Sequence, residues 1–176
     1  MEENQIIASN GTELLHDINN ERGLLWEKIE RLANMLVEHI PNCATHVVGT
    51  PQSQKMKDLY PLKQHIKDGL YTREVFMPKD NFIVSMIHKQ NHPSFLLKGE
   101  LSFISDNGEV KDIKAPYTIF TKAGTQRVFY THEDTIWSCV FKTDELTFEQ
   151  AEADVFSTNY RELPIELINK NKLLCQ

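Results

Sequence analysis

Two histidines four residues apart, His88 and His92, stand in the stretch SMIHKQNHPSFLLKGELSF, just ahead of an apolar run. Imidazole can ligate a transition metal, move a proton near neutral pH, or donate a hydrogen bond to an anion. Spacing sorts these roles. Four residues of extended chain span roughly 13 Å, too far for two ring nitrogens to meet on one ion at about 2 Å each. Chelation therefore requires a turn, and KQNHP can supply one, because Asn91 accepts unusual dihedrals and Pro93 resists a regular interior strand. A helix would also align the pair, but the β surroundings and Pro93 oppose it. Without such a turn the two are hydrogen-bonded rim histidines. If residues 82 to 88 form one strand, Phe82, Val84, Met86 and His88 share a face, which puts His88 at the end of an interior row.

The elements that must position these side chains follow from the apolar period. From Thr12 to Ile40 the apolar residues fall at helical spacing, with Gly23 weakening or splitting the first half and Pro41 and Asn42 ending it. Leu25, Ile29, Leu32 and Leu36 alternate four and three. That is the seam of a short coiled coil with a second copy, or the buried stripe of an ordinary amphipathic helix. Residues 43 to 72 mix Pro51, Pro61 and Gly69 with short apolar pieces and read as an irregular connection. After it the period becomes two: REVFMP, NFIVSMIH, SFLLKGELSFIS, EVKDIKA, YTIFT, QRVFY and TIWSCVF are short, aromatic and β-branched. Phe95, Leu97, Leu101 and Phe103 alternate as an inward face should. Asp106-Asn107-Gly108 signals a hairpin. Many short strands joined in this way predict a sandwich or a barrel. DELTFEQAEADVF predicts a second helix. The expected organisation is an N-terminal helical segment over 1–42, a β-barrel over 43–145 and a C-terminal helical segment or tail over 146–176.

Bulk properties narrow the function classes. The 176 residues allow one domain with a full core, and a net charge of −6 without long runs opposes general nucleic-acid or anionic-membrane binding. Partners are expected to be small molecules or proteins. Cys43, Cys139 and Cys175 are far apart and odd in number, so no disulfide framework or CxxC zinc site is visible. The acidic start MEENQIIASNGTELL and the lack of a long apolar run lead to the expectation of a cytoplasmic protein, of a bacterial host if phage-encoded.

The run from Arg73 to Thr143 resembles a cupin, the small double-stranded β-helix or jelly-roll barrel. HKQNHPSFLLKGELSF resembles the first cupin motif, and APYTIFTKAGTQRVFYTHEDTIW the second, with Lys122-Ala123-Gly124 at its turn. Over about residues 60 to 150 the chain looks like a group of uncharacterised cupin-like proteins of bacteriophages and prophages. The resemblance implies a mainly β fold, a cupin barrel with an N-terminal α-helix and a short C-terminal helical segment.

An ordinary cupin offers three histidines and a glutamate to a metal. Matched on Gly99, the glutamate position here holds His92, the second histidine is His88, and Met86 stands where the first would be. Matched on Gly124, the last histidine position holds Arg127. A permanent guanidinium repels a divalent ion, so the ordinary four-ligand site is not expected. The same fork of donors suits a carboxylate or phosphate, with His88 and His92 as helpers. A structural ion pair of Arg127 with Glu74 or Glu100 is the competing role. Lys89 and Lys98 could add positive field, and His65, His132 and Glu133 could serve as polar rim residues. Phe95, Tyr117, Phe129, Tyr130 and Trp137 are stacking candidates or core. Three functions remain open at this point. The first is non-catalytic binding of a small anionic ligand in the barrel mouth, for which sequestration of a host nucleotide signal is one fitting use. The second is a metal-dependent oxygenase or isomerase, with a divalent transition metal on His88, His92 and a third ligand from elsewhere. The third is an assembly protein with an inert barrel. A homodimer or larger assembly through the 12 to 40 helix is expected.

Overall fold

The computed structural model describes residues 11–20, 24–39, 44–45, 59–105 and 108–168. The helical stripe forms two helices, α1 (Gly11–Asn20) and α2 (Leu25–His39). Between them lie residues 21–23, so Gly23, like Pro41 and Asn42, is outside the described residues. Eleven short strands follow: β1 (Ala44–Thr45), β2 (Leu62–Lys67), β3 (Leu70–Met77), β4 (Phe82–Val84), β5 (Ile87–His88), β6 (His92–Lys98), β7 (Glu100–Ile104), β8 (Val110–Lys114), β9 (Tyr117–Thr121), β10 (Val128–Thr131) and β11 (Thr135–Lys142). Helix α3 (Phe148–Val155), strand β12 (Phe156–Ser157) and a 3-10 turn at Tyr160–Glu162 complete the order. No helix among the described residues is long and apolar enough to cross a membrane.

The strands form two five-stranded sheets, ordered β1-β4-β10-β7-β8 and β2-β3-β11-β6-β9, and a two-stranded pair of β12 with β5. The links β3→β4, β6→β7, β8→β9 and β10→β11 each pass from one sheet to the other, which is the winding of a jelly roll. Gly99 makes the β6→β7 crossing possible: its φ is +87°, and a Cβ there would lie 2.6 Å from the Asp134 carbonyl oxygen. The β8→β9 corner contains a cis Ala115–Pro116 peptide.

Residues 59 to 72 are more regular than the sequence suggests. β2 and β3 pair as a tight hairpin, Lys67 opposite Leu70, around Asp68 and Gly69 at φ of +52° and +76°. Asp-Gly is the turn chemistry that a two-residue loop with positive φ demands. Strand β2, LKQHIK, carries few apolar residues to mark it, while the expected strand run REVFMP falls largely within β3. Of the hairpin expected at 106–108, Asp106 and Asn107 lie outside the described residues, while β7 and β8 on either side pair antiparallel.

Two cores result. The barrel interior is filled from both sheets by residues such as Leu96, Leu101, Phe103, Phe129, Trp137 and Phe141. A second core lies on the outer face of the first sheet, where Ile29, Leu32 and Leu36 of α2 and Leu15 of α1 pack against Phe82, Val84 and Val128. The four-three seam thus covers the chain's own barrel. Sheet one is therefore buried on both faces, which explains why all of β4 and β10 is buried.

This double burial corrects two expected faces. Phe82 and Val84 turn toward the helices and Ile83 toward the interior. The strand breaks at Ser85 and Met86, so His88 reaches the interior by a change of phase and not along a row with Phe82. In β6 the inward residues are His92, Ser94 and Leu96, while Leu97 is 51% exposed and Phe95 is only partly buried. Gly99 separates β6 from β7, where Leu101 and Phe103 do point inward. The alternation therefore does not run through the crossing.

Candidate functional site

His88 ends β5 and His92 begins β6, so residues 89–91 form the turn that chelation requires. The Asn91 carboxamide oxygen accepts from the Ala123 backbone N–H at 2.8 Å, tying this turn to the Lys122-Ala123-Gly124 turn. Gly124, at φ +87°, donates its N–H to the His88 carbonyl at 2.7 Å. The rings of His88 and His92 come to 4.7 Å between centroids.

Hydrogen bonds fix both tautomers. His88 Nδ1 lies 3.0 Å from the Thr125 carbonyl oxygen, and His92 Nδ1 lies 3.0 Å from that of Gln90. A carbonyl only accepts, so each Nδ1 carries the hydrogen and each Nε2 presents a lone pair. His92 Nε2 is buried and has no hydrogen-bond partner among the described residues. Burial, then the neighbouring His92, pushes the His88 pKa down to about 3. Burial lowers that of His92 to about 4, against the Gln90 carbonyl that would favour the cation. Both rings are neutral at physiological pH. They cannot supply the positive charge toward an anion that their type alone suggests.

Nothing in the local sequence marks the third member. Cys139 of β11 sits opposite Ser94 of β6, and its buried free thiol lies 3.5 Å from the Ser94 hydroxyl. One ligand atom each from His88, His92 and Cys139 lie within 4.8 Å of one another. Burial raises the thiol pKa, opposed by hydrogen bonds from Ser94 and Trp137 and by the charges of Arg73 and Arg127. These residues fit a metal: two neutral imidazoles with Nε2 lone pairs, each oriented by a backbone carbonyl, and a thiol whose conjugate base is a strong ligand.

His88 and Cys139 also border a cavity of about 320 Å³ inside the barrel. Its walls include Met77, Ile83, Phe129 and Trp137, and its polar groups include Ser94, Thr121 and two arginines. Arg127, 1% exposed, precedes β10 and holds its guanidinium 5.0 Å above the Phe103 ring. Its backbone N–H donates to the Ser85 hydroxyl at 2.9 Å, which secures the break between β4 and β5. Arg73 comes from β3, with its guanidinium 5.4 Å from the Phe156 ring. The carboxylates considered as partners for Arg127 are engaged elsewhere, Glu74 with Lys63 at 3.1 Å and Glu100 with Lys114 at 3.0 Å.

Helix α3 closes the mouth. Thr147 caps it by accepting from the Gln150 N–H, and the β12–β5 pair sets Phe156 opposite His88. Glu152 reaches inward from this helix. Its carboxylate lies 3.5 Å from Arg73 Nε and accepts from Gln64 Nε2 at 2.9 Å and from the Tyr71 hydroxyl at 3.3 Å. Burial and this carboxylate help push the Tyr71 pKa up to about 12, so the phenol stays a donor.

The structure brings Met86, His88 and Arg127 to the cavity, with His92 directly behind His88. Other candidates lie elsewhere. The Lys89 ammonium donates to the Ala153 carbonyl at 2.7 Å on α3, and Lys98 is exposed. His65 points to solvent from β2. His132 Nε2 lies 2.6 Å from the Ser102 hydroxyl, beside Thr12 of α1 on the outer face of the first sheet. Glu133 is exposed, 4.0 Å from Lys114. Of the stacking candidates, Phe129 and Trp137 line the cavity, while Tyr130 packs under the helices. Sequence reasoning missed Arg73, Glu152 and Cys139. A charged residue in the strand TREVF was the visible signal for the first.

No family model matches this sequence, and no curated protein is similar to it at a significant level. Solved structures align with part of the chain at low identity. Ectoine synthase from P. lautus aligns over 55% of this chain and 72% of its own, with 11% identity and a TM-score of 0.46. A cupin_2 domain of an XRE family transcriptional regulator from Enterobacter cloacae aligns over 49% and 99%, with 10% identity and a TM-score of 0.42. For an acetylacetone dioxygenase from Acinetobacter johnsonii the figures are 46% and 58%, 16% and 0.40, so the match spans little over half of that enzyme. The chain's own winding of two antiparallel sheets, with a few helices outside them, makes it a mainly β protein with a cupin-type jelly-roll barrel.

Proposed function

We propose that the protein binds a small organic anion inside the barrel, with Arg127 and Arg73 as its charged anchors and the aromatic wall around its apolar part. The observation that carries this is the pair of guanidiniums, one from β3 and one just before β10, lining one cavity that is otherwise largely apolar. A planar fork of donors in an apolar setting is well suited to a carboxylate or phosphate. Among the described residues lining the cavity, the charged groups are the two arginines, Glu152 and, exposed at the rim, Glu149. At about 320 Å³ the cavity lies at the small end of ligand sites, roughly 300–1,000 Å³, which favours a single ring or short chain over a whole nucleotide.

A thermal-shift screen of carboxylates, sulfonates and phosphate esters, followed by calorimetry on the best hit, tests the proposal. Arg127→Lys keeps the charge but loses the fork, and should weaken binding by about 1.5–3 kcal/mol, or roughly 10- to 150-fold. Unchanged affinity in a variant whose apo form is strongly destabilised would make Arg127 a structural cation and end the proposal.

Should the centre beside the cavity carry a transition metal, His88, His92 and Cys139 would hold it. A bound metal would then supply Lewis-acid or redox chemistry next to the anion. The protein's own groups contribute orientation of the guest by Arg127 and Arg73 and exclusion of water by the barrel wall and α3.

A further inference from the structure

We infer that the cleft between α2 and the segment after β12 is a second binding site, outside the barrel, that takes a small organic cation of the alkylammonium class. Three observations carry it: an aromatic pair, a carboxylate beside that pair, and one of the chain's own cations resting between them.

The cleft follows from how α2 is used. Ile29, Leu32 and Leu36 of this helix face the first sheet, which leaves Trp26, Glu30 and Asn34, spaced four apart, on a neighbouring stripe. Opposite them, the β12–β5 pair anchors the chain to the barrel, and the Asn159 carboxamide oxygen accepts from the Arg161 backbone N–H at 3.0 Å to open the 3-10 turn Tyr160–Glu162. Between helix and turn lies a cavity of about 370 Å³. Buried Ala33 forms part of its wall, and its single methyl leaves room that a longer side chain would fill. The described residues lining this cleft and those lining the barrel cavity do not overlap.

The Trp26 and Tyr160 rings stand 5.6 Å apart between centroids, tilted by 39°. Tyr160 is held in place because its hydroxyl donates to the Gly124 carbonyl at 3.2 Å. Aromatic faces attract cations through their quadrupole, and a quaternary ammonium packs its methyl groups on them while losing little hydration. The Arg161 guanidinium already follows this attraction, with its carbon 5.7 Å from the Trp26 centroid and Nη1 3.9 Å from Glu30 Oε1. At 3.9 Å the ion pair lacks hydrogen-bond geometry, and its side chains are 69% and 53% exposed. Such a pair is worth little, so a guest displaces Arg161 at small cost. Arg161 is in this sense an internal stand-in for the ligand. With it swung into solvent, the charged groups that remain among the described lining residues are Glu30 and Glu162. An anion would meet both carboxylates, so this cleft and the arginine-lined barrel cavity select guests of opposite charge.

Choline is the probe, with its uncharged isostere, in which a tert-butyl group replaces the trimethylammonium, as the control. Each is titrated into the nitrogen-labelled full chain, and the indole N–H signals of Trp26 and Trp137, assigned on the parent protein, are followed by NMR. Choline should shift the Trp26 signal saturably and leave that of Trp137, in the barrel cavity, in place. The isostere should bind roughly 3- to 30-fold more weakly, the combined share of the ring faces and an exposed carboxylate. Arg161→Ala, at an exposed position, removes the internal competitor and should tighten choline binding by roughly 2- to 5-fold. Glu30→Gln should weaken it by up to about 5-fold. No saturable Trp26 shift in the parent, or equal affinity for the isostere, overturns the inference without reliance on any variant's folding. Unchanged or weaker choline binding in Arg161→Ala overturns it as well, because Arg161 would then not occupy the guest's place.

Discussion

Replacing Glu152 by Gln should tighten binding of the anion, because Glu152 is the carboxylate already facing Arg73. Its oxygen lies 3.5 Å from Arg73 Nε, and the side chains are 35% and 19% exposed. Two unit charges about 4 Å apart interact by ~4 kcal/mol at an effective dielectric of 20. Partial exposure of both groups screens that figure, and about 1–2 kcal/mol is a fair share for competition with a second anion at the same guanidinium. The amide of Gln keeps an acceptor for Gln64 and Tyr71, so the hydrogen bonds that hold α3 over the mouth survive. Affinity for the best organic anion should rise by roughly 5- to 30-fold, read by calorimetry at fixed pH and low salt. The gain should shrink at high salt. If Glu152→Gln binds the anion equally well or more weakly, the ligand does not share Arg73 with Glu152.

Two further outcomes concern stability. His88 and His92 have folded pKa values below the ordinary 6.5, so the unfolded chain binds more protons between about pH 4 and 6.5. Stability from the pair is fully present above about pH 6.5 and falls as the pH drops, by up to ~1.4 kcal/mol per pH unit for each ring. Urea denaturation at pH 7.5, 6.0 and 5.0 measures this, and His92→Gln should reduce the slope; equal slopes would deny that His92 is buried neutral. Leu36→Ala removes a fully buried side chain from the helix–sheet core and should cost ~2–5 kcal/mol. That loss should not depend on protein concentration, whereas a seam shared between two copies would make it do so.

The fold was legible where local chemistry decided it. Period-two strands announced a sandwich or barrel, and the motif-like spacing around Gly99 and Gly124 resembled a jelly roll. The N-terminal stripe announced a buried helix face, but a stripe cannot name what buries it. Ile29, Leu32 and Leu36 fit a coiled-coil partner and a β-sheet equally well, because both present apolar grooves of similar width. Within this chain the stripe packs on the outer face of the first sheet, against Phe82, Val84 and Val128. Those same residues explain why the phase of β4 was misjudged. A strand buried on both faces has no polar side to mark its register.

For the site, the legible part is what lies close in sequence. His88 and His92 are separated by a single turn, and Asn91 and Pro93 advertised it. Cys139 lies 47 positions beyond His92, and nothing in the local sequence links them. The connection is made by pairing: β11 runs antiparallel to β6 with Cys139 opposite Ser94, two residues from His92 on the same inward face. That register continues inward to Phe141, whose ring packs 4.1 Å from that of His92 and seals its back. Shifting β11 by one residue would turn Cys139 and Phe141 outward together and would expose the side chains that now cover the sheet. The thiol's place beside the imidazoles is therefore held by the whole core packing of β11. The register of β11 thus sets the Cys139 thiol on the same inward face as Ser94, beside the two imidazoles.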